Sequence, residues 1–306
     1  MIVLAFLELI PIAPDYKYDN PWVKEPNENT LAIPSQGELL DLPQNTVYAF
    51  EELIDKGHQV FYLKLALTAD EQLITSNNLN IQQATGVDKV IREETYEQLT
   101  KFNYAYNFKE IKEGVETYPY RDLTEQHRFV PANLETLFKD YQDFKFVIEL
   151  IDDEENSKYA VKQLIKLIDQ YHMDEKVIIH TNRETLKNEI NQLTSKPIMT
   201  TYSFKDTIPF SILNLLRIDF FHTPKHGVLL LPVRKDLTKA ELKQIPAPFR
   251  NLMEDYYTNL VNKNLINEAH RHNIAVIYYG VDELSLDKLI ELGADGYITD
   301  QIALLD

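Results

Sequence analysis

The stretch NLINEAHRHNIAVIYYGVDELSLDKLIELGADGYITDQIALL, residues 264–305, decides the fold. Ile274 to Tyr279 (IAVIYY) is a short apolar run rich in β-branched and aromatic residues, which reads as a fully buried strand. The segment before it, from about Tyr256 to His272, has helical spacing. Leu284 to Leu292 is a second helix, and Gly296 to Thr299 (GYIT) a second buried strand. Short apolar strands separated by helices pair in parallel, because each crossover helix returns the chain to the same edge and covers the sheet.

The same alternation extends back towards the N-terminus. Strand–helix signals are Leu31–Ile33 with Thr46–Ile54, and His58–Leu67 with a shorter strand at Gln72–Ser76. Phe144–Leu150 precedes a helix at Ser157–Tyr171, and Val177–Thr181 one at Arg183–Leu193. A weak strand at Ile198–Tyr202 precedes a helix at Ile208–Arg217, and Val228–Pro232 leads towards the long helix near Tyr256. Residues 79–130 read as irregular, with one short helix near Glu94–Leu99. About eight βα units over residues 30–306 predict an α/β fold, a (β/α)₈ TIM barrel, with its site at the C-terminal ends of the strands. A doubly wound open sheet is the alternative. The chain has only 8 glycines and no Gly-rich phosphate loop of the Walker or Rossmann kind.

Composition narrows the chemistry. There is no cysteine, so disulfides, zinc–thiolate sites and thiol catalysis are excluded. The formal net charge of -17 disfavours a nucleic-acid partner, since phosphate-backbone binding draws on Lys and Arg. Residues 1–13, MIVLAFLELIPIA, are nearly all apolar but too few to span a bilayer, and no basic region precedes them. They read either as a buried strand or helix, or as the remnant of a membrane anchor. Residues 11–29 have the Pro-, Asp- and aromatic-rich make-up of an extended linker. The expected division is an apolar segment and linker over 1–29, followed by the barrel over 30–306.

Four stretches in order carry a resemblance to a known family. LAIPSQGELLDLPQNTVYAF (31–50) is similar to "LVIAHRGxxxxxPENTLxAF", and GHQVFYLKLALTADEQLITSNN (57–78) to "GADxIELDVxLTKDGxxVVIHD". YPYRDLTEQHRFVPANLETLFKDYQDFKFVIEL (118–150) is similar to "YPYRGxGxxIPTLEEV" running into "LNIEIK". Residues 264–305 resemble an ending with "VHVWTVND" and "GVDGIITDxPxLL". The family is that of the glycerophosphodiester phosphodiesterases, which are TIM barrels. The resemblance implies hydrolysis of a phosphodiester, a Mg²⁺ or Ca²⁺ ion held by carboxylates at strand ends, and two histidines as acid and base.

This sequence departs from that pattern where the chemistry lies. The His-Arg pair falls on Ser35 and Gln36, and the Glu of "PEN" on Gln44. The Glu-x-Asp metal pair falls on Tyr62 and Lys64, and the second His-Asp on Asn77 and Asn78. The metal Glu of "EIK" survives as Glu149, its Lys becomes Ile151, and the late Trp becomes Tyr279. Ser and Asn cannot exchange a proton near neutral pH, and each lost acid or base typically removes ~10²–10⁴ in rate. Mg²⁺ and Ca²⁺ require several hard oxygen ligands, which Glu149 alone does not supply. Lys64 would put an ammonium where the metal's charge belongs.

Glu149, Asp152, His180 and Tyr279 are therefore the candidates for a residual site, with Glu149 the one weak candidate for a metal. The acidic run Asp152-Asp153-Glu154-Glu155 suits either a relocated metal site or the first turn of a helix, whose dipole favours acids. His222 and His226 flank Pro224 and read as loop residues; His270 and His272 read as surface groups at a helix end. His180 ends a strand near the expected barrel mouth, and a packed barrel histidine is the competing reading. The expectation is a family member that binds rather than hydrolyses, with no cofactor. Its ligand would be a partner protein or the headgroup of a glycerophosphate-containing lipid or polymer, at or near a membrane or cell surface. The alternatives are a cytoplasmic location and an active phosphodiesterase with rearranged ligands.

Overall fold

A computed structural model describes residues 16–35, 41–122, 126–194, 196–218 and 222–305. The apolar residues 1–13 and Gln36 lie outside the described residues. Eleven strands are described among them: β1 Leu31–Pro34, β2 Val60–Leu67, β3 Leu73–Thr75, β4 Glu110–Lys112, β5 Val115–Thr117 and β6 Lys145–Leu150, then β7 Val177–His180, β8 Met199–Thr200, β9 Val228–Pro232, β10 Ala275–Tyr279 and β11 Gly296–Thr299. By their contacts the residues divide into two units. One comprises residues up to 32 with 181–184 and 199–298, and the other 33–180 with 185–198 and 299–306.

In the unit containing residues 33–180, β2, β6 and β7 run parallel, as their apolar sequences require when both faces are covered. Tyr62 pairs with Val147, Lys64 with Glu149, and Glu149 with His180. β3 departs from the expected pattern: it returns antiparallel on β2, with Leu67 opposite Leu73. The turn between them, residues 68–72, is too short for the crossover that a parallel partner needs. Residues 79–130 are more ordered than their composition suggests. Ile81, Ile91, Leu99 and Tyr104 pack on Ala66 and Ile74 to form a small core, and β4 and β5 form an antiparallel hairpin closed by Gly114 at positive φ.

In the other unit β9, β10 and β11 are parallel, and β1 joins the edge of β11. Their apolar residues pack with Phe210, Met253, Tyr257, Leu265 and Ile266 from the surrounding helices. The long helix expected near 256–272 is two helices, Arg250–Tyr257 and Lys263–Arg271. Asn262 stands in extended backbone between them, and its side chain accepts from the Leu265 N–H, which starts the second helix afresh. The helix expected from Ile208 begins earlier, as Phe204–Leu216. Ser203 and Asp206 form a capping box there, and Pro209, inside the helix, has no N–H to give to the helical ladder.

Residues 16–29 lack regular structure, as their composition predicts, but they are packed and do not hang free. Trp22 is 1% exposed, and Asn20 donates to the carbonyls of Gly227 (2.7 Å) and Asn273 (3.0 Å). Buried Asp295 ties this segment down. It accepts from the backbone N–H groups of Lys24 (2.8 Å) and Val276 (2.6 Å), and its Oδ2 lies 2.8 Å from His270 Nε2. Three of the four histidines expected in loops or on the surface prove to be buried: His222, His226 and His272. His222 Nε2 meets the Tyr202 hydroxyl at 3.0 Å, His226 Nδ1 meets Thr200 Oγ1 at 2.8 Å, and the rings of His222 and His272 meet edge to face. The segment around Pro224 is irregular, as its sequence predicts, but neighbours that only the tertiary fold supplies bury its two histidines. Among the described residues no helix is long and apolar enough to cross a bilayer.

Replacing Asp295 by Ala breaks all three of its bonds at once. The expected cost is about 3–5 kcal/mol of stability, read by urea denaturation. Faster proteolysis within residues 16–29 should accompany it.

Candidate functional site

The parallel register of β2, β6 and β7 sets Lys64, Glu149 and His180 side by side on one face of the sheet. Side chains alternate along a strand, so Tyr62 lies on that face too. The three paired residues are half-buried within otherwise buried strands, and so form a polar row in an apolar sheet. The Tyr62 hydroxyl donates a short hydrogen bond to Glu149 Oε2. Ser35 extends β1 to bridge Tyr62 in parallel, and its N–H donates to the Thr299 carbonyl at 2.9 Å. Its Oγ is buried and has no partner among the described residues.

His180 is held neutral. Burial pushes its pKa below the ordinary histidine value, the Glu149 carboxylate opposes this, and the ammonium groups of Lys187 and Lys64 add to it. Lys187 was not found by reading the sequence. It is 2% exposed, on the helix Glu184–Leu193, next to the inward-facing Leu186 and Ile190. The available signal was a lysine on the apolar side of an amphipathic helix.

Asp152 does not join this row. Its Oδ1 accepts from the Leu67 N–H at 3.3 Å, and the Arg92 charge is near enough to act on it. Burial raises its pKa to about 6. The rest of the acidic run starts a helix: Asp153 accepts from the Asn156 N–H, and Glu154 and Glu155 occupy the first turn of Glu154–Tyr171. Of the two readings of this run, its place in the structure is that of a capped helix start. Tyr279 ends β10 in the other unit and is 41% exposed.

Gln44, Asn77 and Asn78 come together in the same unit as the row. They line a cavity of about 410 Å³ bounded by residues 43–45, 76–84 and 104–109. Asn77 Nδ2 donates to Gln44 Oε1 (2.9 Å), and Asn78 Nδ2 to Gln83 Oε1 (2.7 Å). The Ser76 N–H donates to the Lys64 carbonyl (3.0 Å), which fixes where the chain leaves β3.

The comparisons with known proteins bear on this arrangement. Residues 36–304 match the model of the glycerophosphoryl diester phosphodiesterase family. The chain belongs to that family. A glycerophosphodiester phosphodiesterase of Caldanaerobacter subterraneus subsp. tengcongensis is 21% identical over 278 residues, which cover 89% of this chain and 94% of the relative. One of Bacillus altitudinis is 22% identical over 267 residues, 84% of this chain and 89% of its own. Among solved structures, the glycerophosphoryl diester phosphodiesterase domain of an uncharacterized Mycobacterium tuberculosis protein superposes with a TM-score of 0.65. It is 14% identical and covers 91% of this chain and 97% of its own. The chain thus has the α/β fold of the TIM-barrel type on which the family is built.

The divalent ion that the family resemblance implies does not fit the donors in this row. Of the carboxylates expected to hold it, Glu149 persists, and it already accepts the Tyr62 phenol and stands in register with Lys64. Among the described residues no group of three or more His, Asp or Glu side chains is disposed to hold a metal. What the row offers is a carboxylate, a neutral imidazole, a phenol and an ammonium.

Two titrations follow. A histidine whose folded pKa is depressed stabilises the fold fully above its unfolded value, about 6.5, and that contribution is lost as pH falls towards the folded pKa. Histidine NMR should find His180 titrating below the ordinary range. Glu149→Gln should lower it further and Lys64→Met should raise it. Asp152 has the opposite sign: its folded pKa of about 6 exceeds the unfolded value, so its contribution is present at low pH and is lost as pH rises through about 6. Asp152→Asn should raise the Tm at pH 8 and leave it nearly unchanged at pH 4.

Proposed function

We propose that this member of the glycerophosphoryl diester phosphodiesterase family binds its ligand without hydrolysing it. One observation carries the reading: Lys64 stands in strand register with Glu149, and Glu149 accepts the Tyr62 phenol, at the positions where the family resemblance expects metal carboxylates. A fixed ammonium supplies charge but cannot lower the pKa of a bound water as a metal does. The general acid and base positions carry Ser35, Asn77 and Asn78, which do not transfer protons near neutral pH. The cavity lined by Gln44, Asn77 and Asn78 supports a binding role. The apolar residues 1–13 support a setting near a membrane, where the bound species would be a partner protein or a lipid or polymer headgroup.

A second reading has its own observation. Glu149 and His180 are register neighbours, and burial keeps the imidazole neutral, so His180 is able to accept a proton. In that reading the chain remains a phosphoric diester hydrolase with a rearranged acid–base pair.

Turnover of glycerophosphocholine by the purified chain, with Mg²⁺ or Ca²⁺ supplied, separates the two. The binding reading expects a rate at least about 10²-fold below that of the Bacillus altitudinis relative, unchanged by Glu149→Ala or His180→Ala. Turnover that vanishes in either variant would overturn it in favour of the hydrolase.

A further inference from the structure

Among the described residues, β4 and β5 make a hairpin with no third strand on either side. Its loop is Glu113-Gly114, at φ 54° and 80°, the left-handed conformations that a tight two-residue turn requires. Ile111 is 64% exposed and Val115 61%, and the rest of β5 is exposed as well. A two-stranded hairpin is marginal by itself in water, and an unpaired edge is a template for another strand. The hairpin thus offers its edges to a further strand.

The register selects which backbone groups are on offer. Lys112 faces Val115 across the turn, Ile111 faces Glu116, and Glu110 faces Thr117. Bonded and non-bonded pairs alternate along an antiparallel ladder, and the pair that closes a two-residue turn is a bonded one. Lys112–Val115 and Glu110–Thr117 are then the bonded pairs. The N–H and C=O of Ile111 and of Glu116 point away from the hairpin, one set on each edge.

The sequence decides between the two edges and names the occupant. Residues 109–113 read Lys-Glu-Ile-Lys-Glu. Turned antiparallel about Ile111, this stretch meets its own copy with Lys opposite Glu at every charged position: Glu110 faces Lys112 of the second copy, and Lys109 faces Glu113. Glu110 and Lys112 fall on the non-bonded positions of that new ladder, where facing residues come closest. The two Ile111 residues meet at the centre, each giving its N–H to the other's carbonyl. Within the hairpin Lys109 already lies 2.8 Å from Glu116, so the Glu110–Lys112 pairs carry the attraction. Turned about Glu116 instead, β5 would set that glutamate against its own copy, and like charges directly opposite repel. Charges blunt an edge when nothing opposite neutralises them, and on β4 a second copy neutralises each.

We propose that two copies of this chain associate through the free edge of β4, antiparallel and two-fold about Ile111. A two-fold contact of this kind closes on itself, so it stops at a dimer and builds no fibre. Two strands of 3 residues bury far less than the ~1,600 Å² of a standard interface, so the dimer is weak and exchanges with monomer. The net charge of -17 opposes association at long range, but at physiological salt the Debye length is ~8 Å and the facing pairs still act. The contact is independent of whether the chain hydrolyses its ligand or only binds it.

The test is sedimentation equilibrium of the full chain at ~0.15 M salt. The expected result is a reversible monomer–dimer equilibrium with a Kd between about 10 μM and about 1 mM. Glu110→Lys and Lys112→Glu each turn the facing Glu110–Lys112 pairs from opposite to like charge, and each should weaken the dimer at least about tenfold. Mixed in equal amounts, the two variants should associate again as strongly as the wild type, since each then faces the opposite charge. That recovery also shows that both variants are folded. The double variant, Glu110→Lys with Lys112→Glu, reverses the pattern but keeps it self-complementary, and should dimerise as the wild type does. Hydrogen exchange should slow at the Ile111 N–H as the dimer forms and stay unchanged at Glu116. A chain still monomeric at about 1 mM, a dimer indifferent to both single variants, or a mixture that does not re-form it would overturn the proposal. Protection at Glu116 in place of Ile111 would do the same, by moving the contact to the other edge.

Discussion

Parallel pairing of β2, β6 and β7 is the constraint on which the site depends. In a parallel ladder, residues in register point to the same side, so a single choice of register brings Lys64, Glu149 and His180 into one row. A slip of one residue in any of these strands would turn its polar member towards the apolar layer on the opposite face. The apolar residues between them, Leu63, Ile148 and Ile179, are at most 1% exposed and hold the register by being unable to face anything but the core. The polar row is therefore a by-product of the hydrophobic pattern, and its charges are tolerated because they neutralise one another. Glu149 stands between an ammonium and an imidazole and also receives a phenol.

This electrostatic arrangement differs in kind from a metal site. A divalent ion gathers several carboxylates that would otherwise repel, and its removal leaves an unbalanced negative cluster. Here the carboxylate has been matched by residues of the chain itself, so the row needs no ion for balance. The cavity next to Asn77 follows a different logic. Its lining is nearly all neutral, and half of its residues are carboxamides. The balanced row and the carboxamide-lined cavity lie within one unit.

The irregular region 79–130 shows why the cavity could not be read from composition. Its Asn and Gln residues look like loop formers one by one, and most loop Asn residues serve turns. Only the packing of Ile81, Ile91, Leu99 and Tyr104 onto Ala66 and Ile74 turns that segment into a wall. The histidines teach the same lesson in reverse. His222 and His226 flank a proline and look solvated, but the layer formed with Tyr202 and His272 buries them.

By itself the sequence determined the order of the βα units and most strand limits to within a residue or two. Those properties are local: periodicity, capping residues such as Thr46 and Asn133, and side-chain chemistry at a fixed place in the chain. The tertiary structure decided which of these residues meet. It separated Asp152 from Glu149, placed Lys187 within reach of His180, turned β3 antiparallel and split the long helix at Asn262. The reason is that strand register, burial and the meeting of distant side chains depend on contacts between residues tens to hundreds of positions apart, and no local pattern encodes such contacts.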